Sequence, residues 1–189
     1  MENLGLEGKF WDGRRVLLTG HTGFKGGWLV MWLHSLGAKI HGYALPPLSS
    51  PNLFVESNIE SILESNTLAD IRDEKTFEAS IKSSKPDIIF HLAAQPLVKD
   101  SYLDPKFTFT TNIIGTLNIL EIIKNVKSIK SAVIITSDKC YKNFEKRSGY
   151  SENDELGGKD PYSASKSSSE LIIRAYRESF FIDKRKCGV

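Results

Sequence analysis

Short apolar runs and longer amphipathic segments alternate along this chain. The runs show little polar alternation, which is typical of strands covered on both faces. They predict strands at residues 15–19, 38–44, 67–70, 86–94 and 131–136. Between the runs, apolar residues recur at helical spacing and predict helices at residues 24–36, 73–83 and 104–125, with a last helix that begins at residue 160.

Capping residues support these helix boundaries. Asp73, Asp104 and Asp160 precede helices, and an aspartate there accepts hydrogen bonds from the free N–H groups of the first turn. Gly37 stands where a left-handed residue is expected to end the first helix. In that helix, helical spacing predicts a core-facing stripe formed by Trp28, Leu29, Trp32, Leu33 and Leu36.

The order of the elements favours an α/β fold. Alternating strands and helices are typical of right-handed crossovers, which build a doubly wound parallel sheet. Such sheets bind ligands at the carboxyl ends of their strands. Residues suited to that role follow or end four of the predicted strands: Gly20, Asp70, Ala93 and Thr136. We therefore expect a binding site along this edge.

Composition narrows the classes of function. The 189 residues are 40% hydrophobic and 25% charged, and the net charge of +2 predicts no surface for nucleic acid or membranes. The start of the chain lacks the basic and apolar segments of a secretory signal, so a cytoplasmic protein is expected. The two cysteines and four histidines are scattered, and no metal site is predicted.

A glycine-rich turn joins the first strand to the first helix. Gly20, Gly23 and Gly26 are three residues apart, so the spacing before the middle glycine is one residue longer than in the common dinucleotide fingerprint. By itself this spacing is equally compatible with an ordinary turn. Between a strand and a helix, however, glycines let the backbone approach a diphosphate, and the helix N–H groups face its charge. The context therefore favours dinucleotide binding.

The last helix carries a second candidate site. Tyr162 and Lys166 are four residues apart, so their side chains share one face of the helix. A nearby ammonium stabilises the phenolate form of a tyrosine, which lets its oxygen accept a proton. Such a pair also occurs on ordinary helix surfaces. Together with the glycine turn and Thr136-Ser137, the pair indicates a functional site.

Several segments match one known pattern in order: residues 19–26, Asp70-Ile71, His91 to Ala94, Asn112, Thr136-Ser137, and Tyr162 with Lys166. Over residues 10–181 the chain thus resembles the extended short-chain dehydrogenase/reductase family. Within that family it is most similar to the CDP-glucose 4,6-dehydratases, in residues 20–28, 94–98, 136–141 and 160–163. The resemblance implies one Rossmann-type NAD-binding domain over residues 1–189, without most of the carboxy-terminal substrate domain.

The resemblance implies which residues bind NAD. They are Gly20, Gly23, Phe24, Lys25, Gly26, Asp70, Ile71, Ala93, Ala94, Thr111, Asn112, Tyr162 and Lys166. The glycine turn would hold the diphosphate, Asp70 and Ile71 would contact the adenine, and Asn112 would brace the active site. The second strand ends at residues 42–45 without the acidic residue that usually selects NAD, so this cofactor is predicted from the resemblance alone.

The resemblance also implies catalytic roles. Tyr162 would take the proton of the sugar 4-hydroxyl, and Lys166 would bind the nicotinamide ribose. Asp138 would protonate the departing C6 hydroxyl, and Ser137 would bond to the 4-oxygen. The related dTDP-glucose dehydratases have a glutamate as the C5 base where this chain has Lys139. A lysine is a base only when neutral, so a phosphate or surface contact is the alternative for this residue.

The sequence therefore predicts a dehydratase that acts on CDP-glucose, as a shortened chain. A nucleotide-sugar epimerase shares the tyrosine and lysine but eliminates no water, so Asp138 argues against it. A non-catalytic NAD-binding fragment is the third hypothesis, because relatives continue beyond Val189 into a substrate domain. The resemblance further implies a homodimer formed through the helices at residues 104–125 and 162–181.

Overall fold

A computed structural model describes residues 7–182 and 187–189 of the chain and confirms the α/β fold. The strands are β1 (Arg15–Thr19), β2 (Lys39–Ala44), β3 (Ser65–Leu68), β4 (Ile88–His91) and β5 (Ser131–Ile134). All pairings are parallel, and the strand order is β3-β2-β1-β4-β5. The chain order reverses between β1 and β4, and doubly wound sheets open a ligand-binding crevice at such a point.

The helices are α1 (Glu7–Trp11), α2 (Phe24–Ser35), α3 (Leu53–Glu56), α4 (Glu74–Ser84), α5 (Val98–Leu103), α6 (Pro105–Phe109), α7 (Gly115–Asn125) and α8 (Pro161–Ser179). A π-helical segment, Thr110–Ile114, joins α6 to α7, so the helix predicted at residues 104–125 is continuous but widened at its middle. Widened turns of this kind are frequent at functional sites. Among the described residues, no helix has the length and apolar character needed to cross a membrane.

The predicted helix caps are confirmed. Asp73, Asp104 and Asp160 accept hydrogen bonds from the backbone N–H three residues later, at 3.1, 2.8 and 3.0 Å. Gly37 follows α2 with a φ of +88°. The three aspartate hydrogen bonds satisfy N–H groups that have no partner within the helix, and each bond is typically worth about 1 kcal/mol.

An apolar cluster covers each face of the sheet. Neighbouring residues of β1 point to opposite faces, so Leu17 belongs to one cluster while Val16 and Leu18 belong to the other. On the first face the main partners are Phe77, Ile81, Ile119, Leu120 and Ile173, from α4, α7 and α8. On the second face they are Val30, Leu33, Phe54 and Ile59, from α2, α3 and the 3₁₀ helix Ile59–Ile62. The central strands are therefore buried on both sides, as their unbroken apolar runs predict.

The predicted core stripe of α2 is wrong at its two tryptophans. Trp28 and Trp32 are 55% and 60% exposed. The residues that α2 buries are Gly26, Gly27, Val30 and Leu33. A Cβ at Gly27 would lie 2.9 Å from Ile59 Cδ1. The helix thus presents its glycines to the neighbouring elements at close range, which turns the tryptophans towards solvent.

Three strands differ in extent from their predictions. β3 ends at Leu68, opposite Ala44, rather than at Asp70. β4 and β5 are shorter than their apolar runs, because pairing between them ends at His91 and Ile134. Asp70, Ala93 and the Thr136-Ser137 pair therefore lie in the turns that follow the strands, at the edge where a ligand is expected.

Candidate cofactor-binding and active site

The glycine-rich turn brings three backbone segments into close contact. Gly20 has a φ of +78°, and a Cβ there would lie 2.8 Å from Ala93 N. A Cβ at Gly26 would lie 2.1 Å from the carbonyl oxygen of Gly20. Both distances exclude a side chain. α2 begins with Gly23 as its N-cap and without a side-chain cap, so its first N–H groups are free to donate to an anion. This cradle fits a dinucleotide diphosphate.

A buried amide connects the turn after β4 to two helices. Asn112 accepts a hydrogen bond from Gln95 N at 2.8 Å and donates to Gln95 O at 3.2 Å. It also donates to Ser165 Oγ of α8 at 2.8 Å. Beside it, Thr111 Oγ1 is buried and has no hydrogen-bond partner in the described part of the chain. A buried hydroxyl without a partner is rare, and a bound ligand is one way to supply it.

A neutral histidine joins the ends of β1 and β4. His91 is 2% exposed, and its Nδ1 lies 2.7 Å from Thr19 Oγ1. That hydroxyl accepts the N–H groups of Leu92 and Ala93 at 3.2 and 3.1 Å, which occupies both of its lone pairs. Its proton is therefore directed at His91 Nδ1, and the ring proton lies on Nε2. Nε2 is 3.5 Å from Thr116 Oγ1, which donates to Asn112 O at 2.7 Å. Burial lowers the pKa of His91 to about 3.

The side chains predicted to contact the adenine are engaged by protein. Asp70 forms an ion pair with Arg72 at 2.6 Å, and the hydrogen bond from Arg72 lowers the pKa of this carboxyl. The side chain of Ile71 is buried, and a Cβ at Gly115 would lie 2.8 Å from its Cγ2. Adenine contact by these two residues stays a prediction.

The turn after β5 places three functional groups next to one another. Ser137 begins the 3₁₀ helix Asp138–Cys140, and its Oγ accepts a hydrogen bond from Lys139 N at 3.2 Å. The same hydroxyl donates to Asp138 Oδ1 at 3.1 Å. Asp138 and Lys139 are exposed. A half-buried hydroxyl, an exposed carboxylate and an exposed ammonium therefore lie side by side at the carboxyl edge of the sheet.

The helix α8 adds the phenol and a second ammonium. Tyr162 and Lys166 are buried, at 9% and 6% exposure. Lys166 Nζ donates to the carbonyl oxygen of Ile135 at 3.3 Å, two residues before the Ser137 turn. Burial lowers the pKa of Lys166 to about 8, opposed by the charge of Glu170 and reinforced by that of Lys25.

The predicted site residues thus lie in the turns after β1, β3, β4 and β5, in the π-helical segment, and at the starts of α2 and α8. The supporting contacts were not predicted, and they include the hydrogen bond of 2.9 Å between His21 Nε2 and Asn66 Oδ1. The sequence contained one usable signal for them. Thr19 ends a strongly apolar run and His91 interrupts another, and both are buried.

The chain is similar to known sugar-nucleotide enzymes. CDP-glucose 4,6-dehydratase of Salmonella typhimurium is 50% identical over 176 residues, which are 93% of this chain and 49% of that protein. The chain therefore spans about half the length of the curated relatives it matches. Among solved structures, Pal from Bacillus thuringiensis has a TM-score of 0.79 at 28% identity, covering 88% of this chain and 52% of that one.

A UDP-glucose 4-epimerase of Thermus thermophilus, solved in complex with NAD, has a TM-score of 0.75 at 26% identity, covering 88% of this chain and 52% of that one. A family model described as GDP-mannose 4,6 dehydratase matches residues 17–185. Because this match covers most of the chain, the chain belongs to that family, which consists of NAD-dependent nucleotide-sugar dehydratases and epimerases.

Proposed function

We propose that this chain forms the cofactor-binding part of a nucleotide-sugar 4,6-dehydratase whose substrate is CDP-glucose. The main support is the identity of 50% with the Salmonella CDP-glucose 4,6-dehydratase. The candidate catalytic side chains, which lie in the turn after β5 and on α8, are consistent with that reaction. They are Ser137, Asp138, Lys139, Tyr162 and Lys166.

NAD is the proposed cofactor. The glycine cradle and the uncapped N–H groups of α2 fit an anionic diphosphate. Thr111, with its partnerless hydroxyl, lies beside Asn112 and supports a ligand at the same edge. When bound, NAD would take a hydride from C4 of the sugar and return it to C6, so the reaction has no net redox change.

Tyr162 is the proposed base for the first step. Its oxygen would accept the proton of the sugar 4-hydroxyl, and the positive charge of Lys166, one helical turn away, would stabilise the phenolate that this requires. Ser137 would donate a hydrogen bond to the 4-oxygen and hold it in place. The ketone formed at C4 makes the proton on C5 acidic enough for a side chain to remove.

Lys139 and Asp138 are proposed to carry out the elimination. Lys139 would remove the C5 proton as a neutral amine and return a proton to C5 when hydride reaches C6, and Asp138 would protonate the C6 hydroxyl so that it leaves as water. Both side chains are exposed in the described structure. A bound sugar would exclude water from them, and desolvation favours the uncharged form of a carboxyl and of an amine alike. Substrate binding itself would therefore favour the neutral amine of Lys139 and the protonated carboxyl of Asp138, the forms that the elimination requires.

Binding of NAD is tested with the chain itself. At a concentration about 100 times the Kd, a ligand stabilises the folded state by about 2.7 kcal/mol. For a domain of this size, that corresponds to a rise in Tm of about 5–10 °C. The absence of any rise at saturating NAD would refute the cofactor assignment.

The reaction is tested in a chimaera that joins residues 10–182 to the remaining half of the Salmonella enzyme. With CDP-glucose in deuterated water, we expect a product that is lighter by one water and carries deuterium at C5. An epimerase would instead form an isomer of unchanged mass. Asp138→Asn should stop the loss of water while bound NAD is still reduced. A folded chimaera that binds NAD but leaves CDP-glucose unchanged would refute the dehydratase assignment.

A further inference from the structure

Glu170 lies one helical turn beyond Lys166 on α8, and the proposed chemistry does not use it. Its carboxylate accepts a hydrogen bond from the hydroxyl of Thr136. Thr136 immediately precedes Ser137, which is the N-cap of the 3₁₀ helix Asp138–Cys140. Glu170 is half-buried rather than free in solvent. Through the side chain of Thr136, this contact joins α8 to the turn that carries two candidate catalytic groups.

Two further bonds from α8 reach the same stretch of chain. Lys166 Nζ donates to Ile135 O at 3.3 Å, and Ser167 Oγ donates to Cys140 O at 2.6 Å. Hydrogen bonds from α8 thus hold residues 135, 136 and 140, and these residues flank Ser137 and Asp138 on both sides. Of these three attachments, the one from Glu170 lies nearest in sequence to Ser137, and it uses a charged acceptor, which makes stronger hydrogen bonds than a neutral one.

Glu170 also acts on the charge of Lys166. The ammonium of Lys166 is buried, and burial favours the neutral amine. Lys25, at the start of α2, acts in the same direction, whereas His91 of β4 is neutral and adds no further positive charge. Glu170 lies one helical turn from Lys166, and the two side chains bond to the neighbouring residues Thr136 and Ile135. From this position its negative charge opposes these effects. The negative charge of Glu170 therefore offsets the desolvation cost of the buried Lys166 ammonium.

We propose that Glu170 is a positioning residue of this site, which holds the Thr136–Ser137–Asp138 turn against α8 and keeps Lys166 charged. Its effect on catalysis rests on the proposed dehydratase function, whereas its effect on Lys166 does not. Glu170 itself need not touch the substrate or NAD. It acts through the turn on one side and through the ammonium on the other.

The two effects are separated by two substitutions. Glu170→Gln keeps the size of the side chain and an oxygen that can accept from Thr136, but it removes the charge. Thr136→Val keeps the charge of Glu170 and removes the hydrogen bond. Glu178→Gln is the matched control, because Glu178 is exposed two turns further along the same helix.

The charge effect is measured without cofactor or substrate. The chain is labelled with ¹³C at lysine Cε, and the Lys166 resonance is assigned by its loss in Lys166→Arg. We expect Glu170→Gln to lower the pH of its titration midpoint by about one unit or more, as removal of a nearby opposite charge does. Glu178→Gln should leave the midpoint unchanged. An unchanged midpoint in folded Glu170→Gln would overturn this half of the proposal.

The positioning effect is measured in the chimaera with CDP-glucose. Thr136→Val should lower kcat about tenfold or more with little change in KM, because the displaced Ser137 and Asp138 act after binding. Glu170→Gln keeps an acceptor for Thr136, so it should instead shift the pH profile of kcat through Lys166. A wild-type rate in folded Thr136→Val would overturn the positioning role. If the unmodified chimaera itself is inactive, the dehydratase function fails, and the lysine titration still decides the proposal for Lys166.

Discussion

The buried His91 predicts a specific loss of stability in mild acid. The ring is 2% exposed and lies between Thr19 and Thr116, and burial lowers its pKa to about 3. In the unfolded chain the same imidazole binds a proton near its ordinary pKa of 6.5. Below that pH the unfolded state therefore holds a proton that the folded state does not accept.

The magnitude follows from the two pKa values. Above pH 6.5 neither state is protonated at His91, and its contribution to stability is complete. As the pH falls from there towards 3, each pH unit lowers the free energy of unfolding by about 1.4 kcal/mol. At about pH 5 the loss from this one residue is about 2 kcal/mol. The carboxyl groups mostly titrate at lower pH and contribute little in this window.

The assay compares urea unfolding at about pH 7.5 and about pH 5, followed by tryptophan fluorescence. The wild-type protein should lose more than the contribution of His91, because burial also lowers the pKa of His21 and of His41. His91→Gln should lose about 2 kcal/mol less between the two pH values than wild type. His34→Gln, which removes an exposed imidazole of α2, serves as the control and should lose as much as wild type. An equal loss in His91→Gln and wild type would refute the reasoning.

Three further substitutions test other parts of the structure. Gly26→Ala places a Cβ 2.1 Å from the carbonyl oxygen of Gly20. It should destabilise the chain by about 1–3 kcal/mol and abolish the rise in Tm with NAD, whereas Gly149→Ala, with no atom within 4 Å of its Cβ, should change neither. Asn112→Ala leaves the N–H and C=O of Gln95 without their partner. It should lower the free energy of unfolding by about 2–4 kcal/mol in urea titrations, and a loss below about 0.5 kcal/mol would contradict the network. Leu33→Ala should cost about 2–5 kcal/mol and Trp32→Gln less than about 1 kcal/mol, and the reverse order would show that the tryptophan face of α2 is the buried one.

The fold was predictable from the sequence because its signals are local. Unbroken apolar runs located the strands, and an aspartate before each of three helices located their starts at Glu74, Pro105 and Pro161. The glycine turn was also predictable, since only glycine tolerates the distances at Gly20 and Gly26. The roles of the candidate site residues are still predictions that depend on the proposed experiments.

Other features depend on elements that are distant in the chain. Periodicity shows that α2 has an apolar stripe, but its position against Leu53 and Ile59 decides that Gly27 is buried and Trp32 is exposed. Asn112 meets Gln95 and Ser165 only because α8 packs beside the π-helical segment.

The sequence by itself therefore determined the order of the five strands and of the four long helices between and after them, the predicted caps of these helices and the glycine cradle, because each depends on the conformational preferences of neighbouring residues. Only the tertiary structure decided which face of α2 is buried, that His91 is a neutral link between β1 and β4, and that Glu170 reaches Thr136. The physical reason is that burial and hydrogen bonding between distant segments depend on how those segments pack, which residue spacing within one segment does not specify.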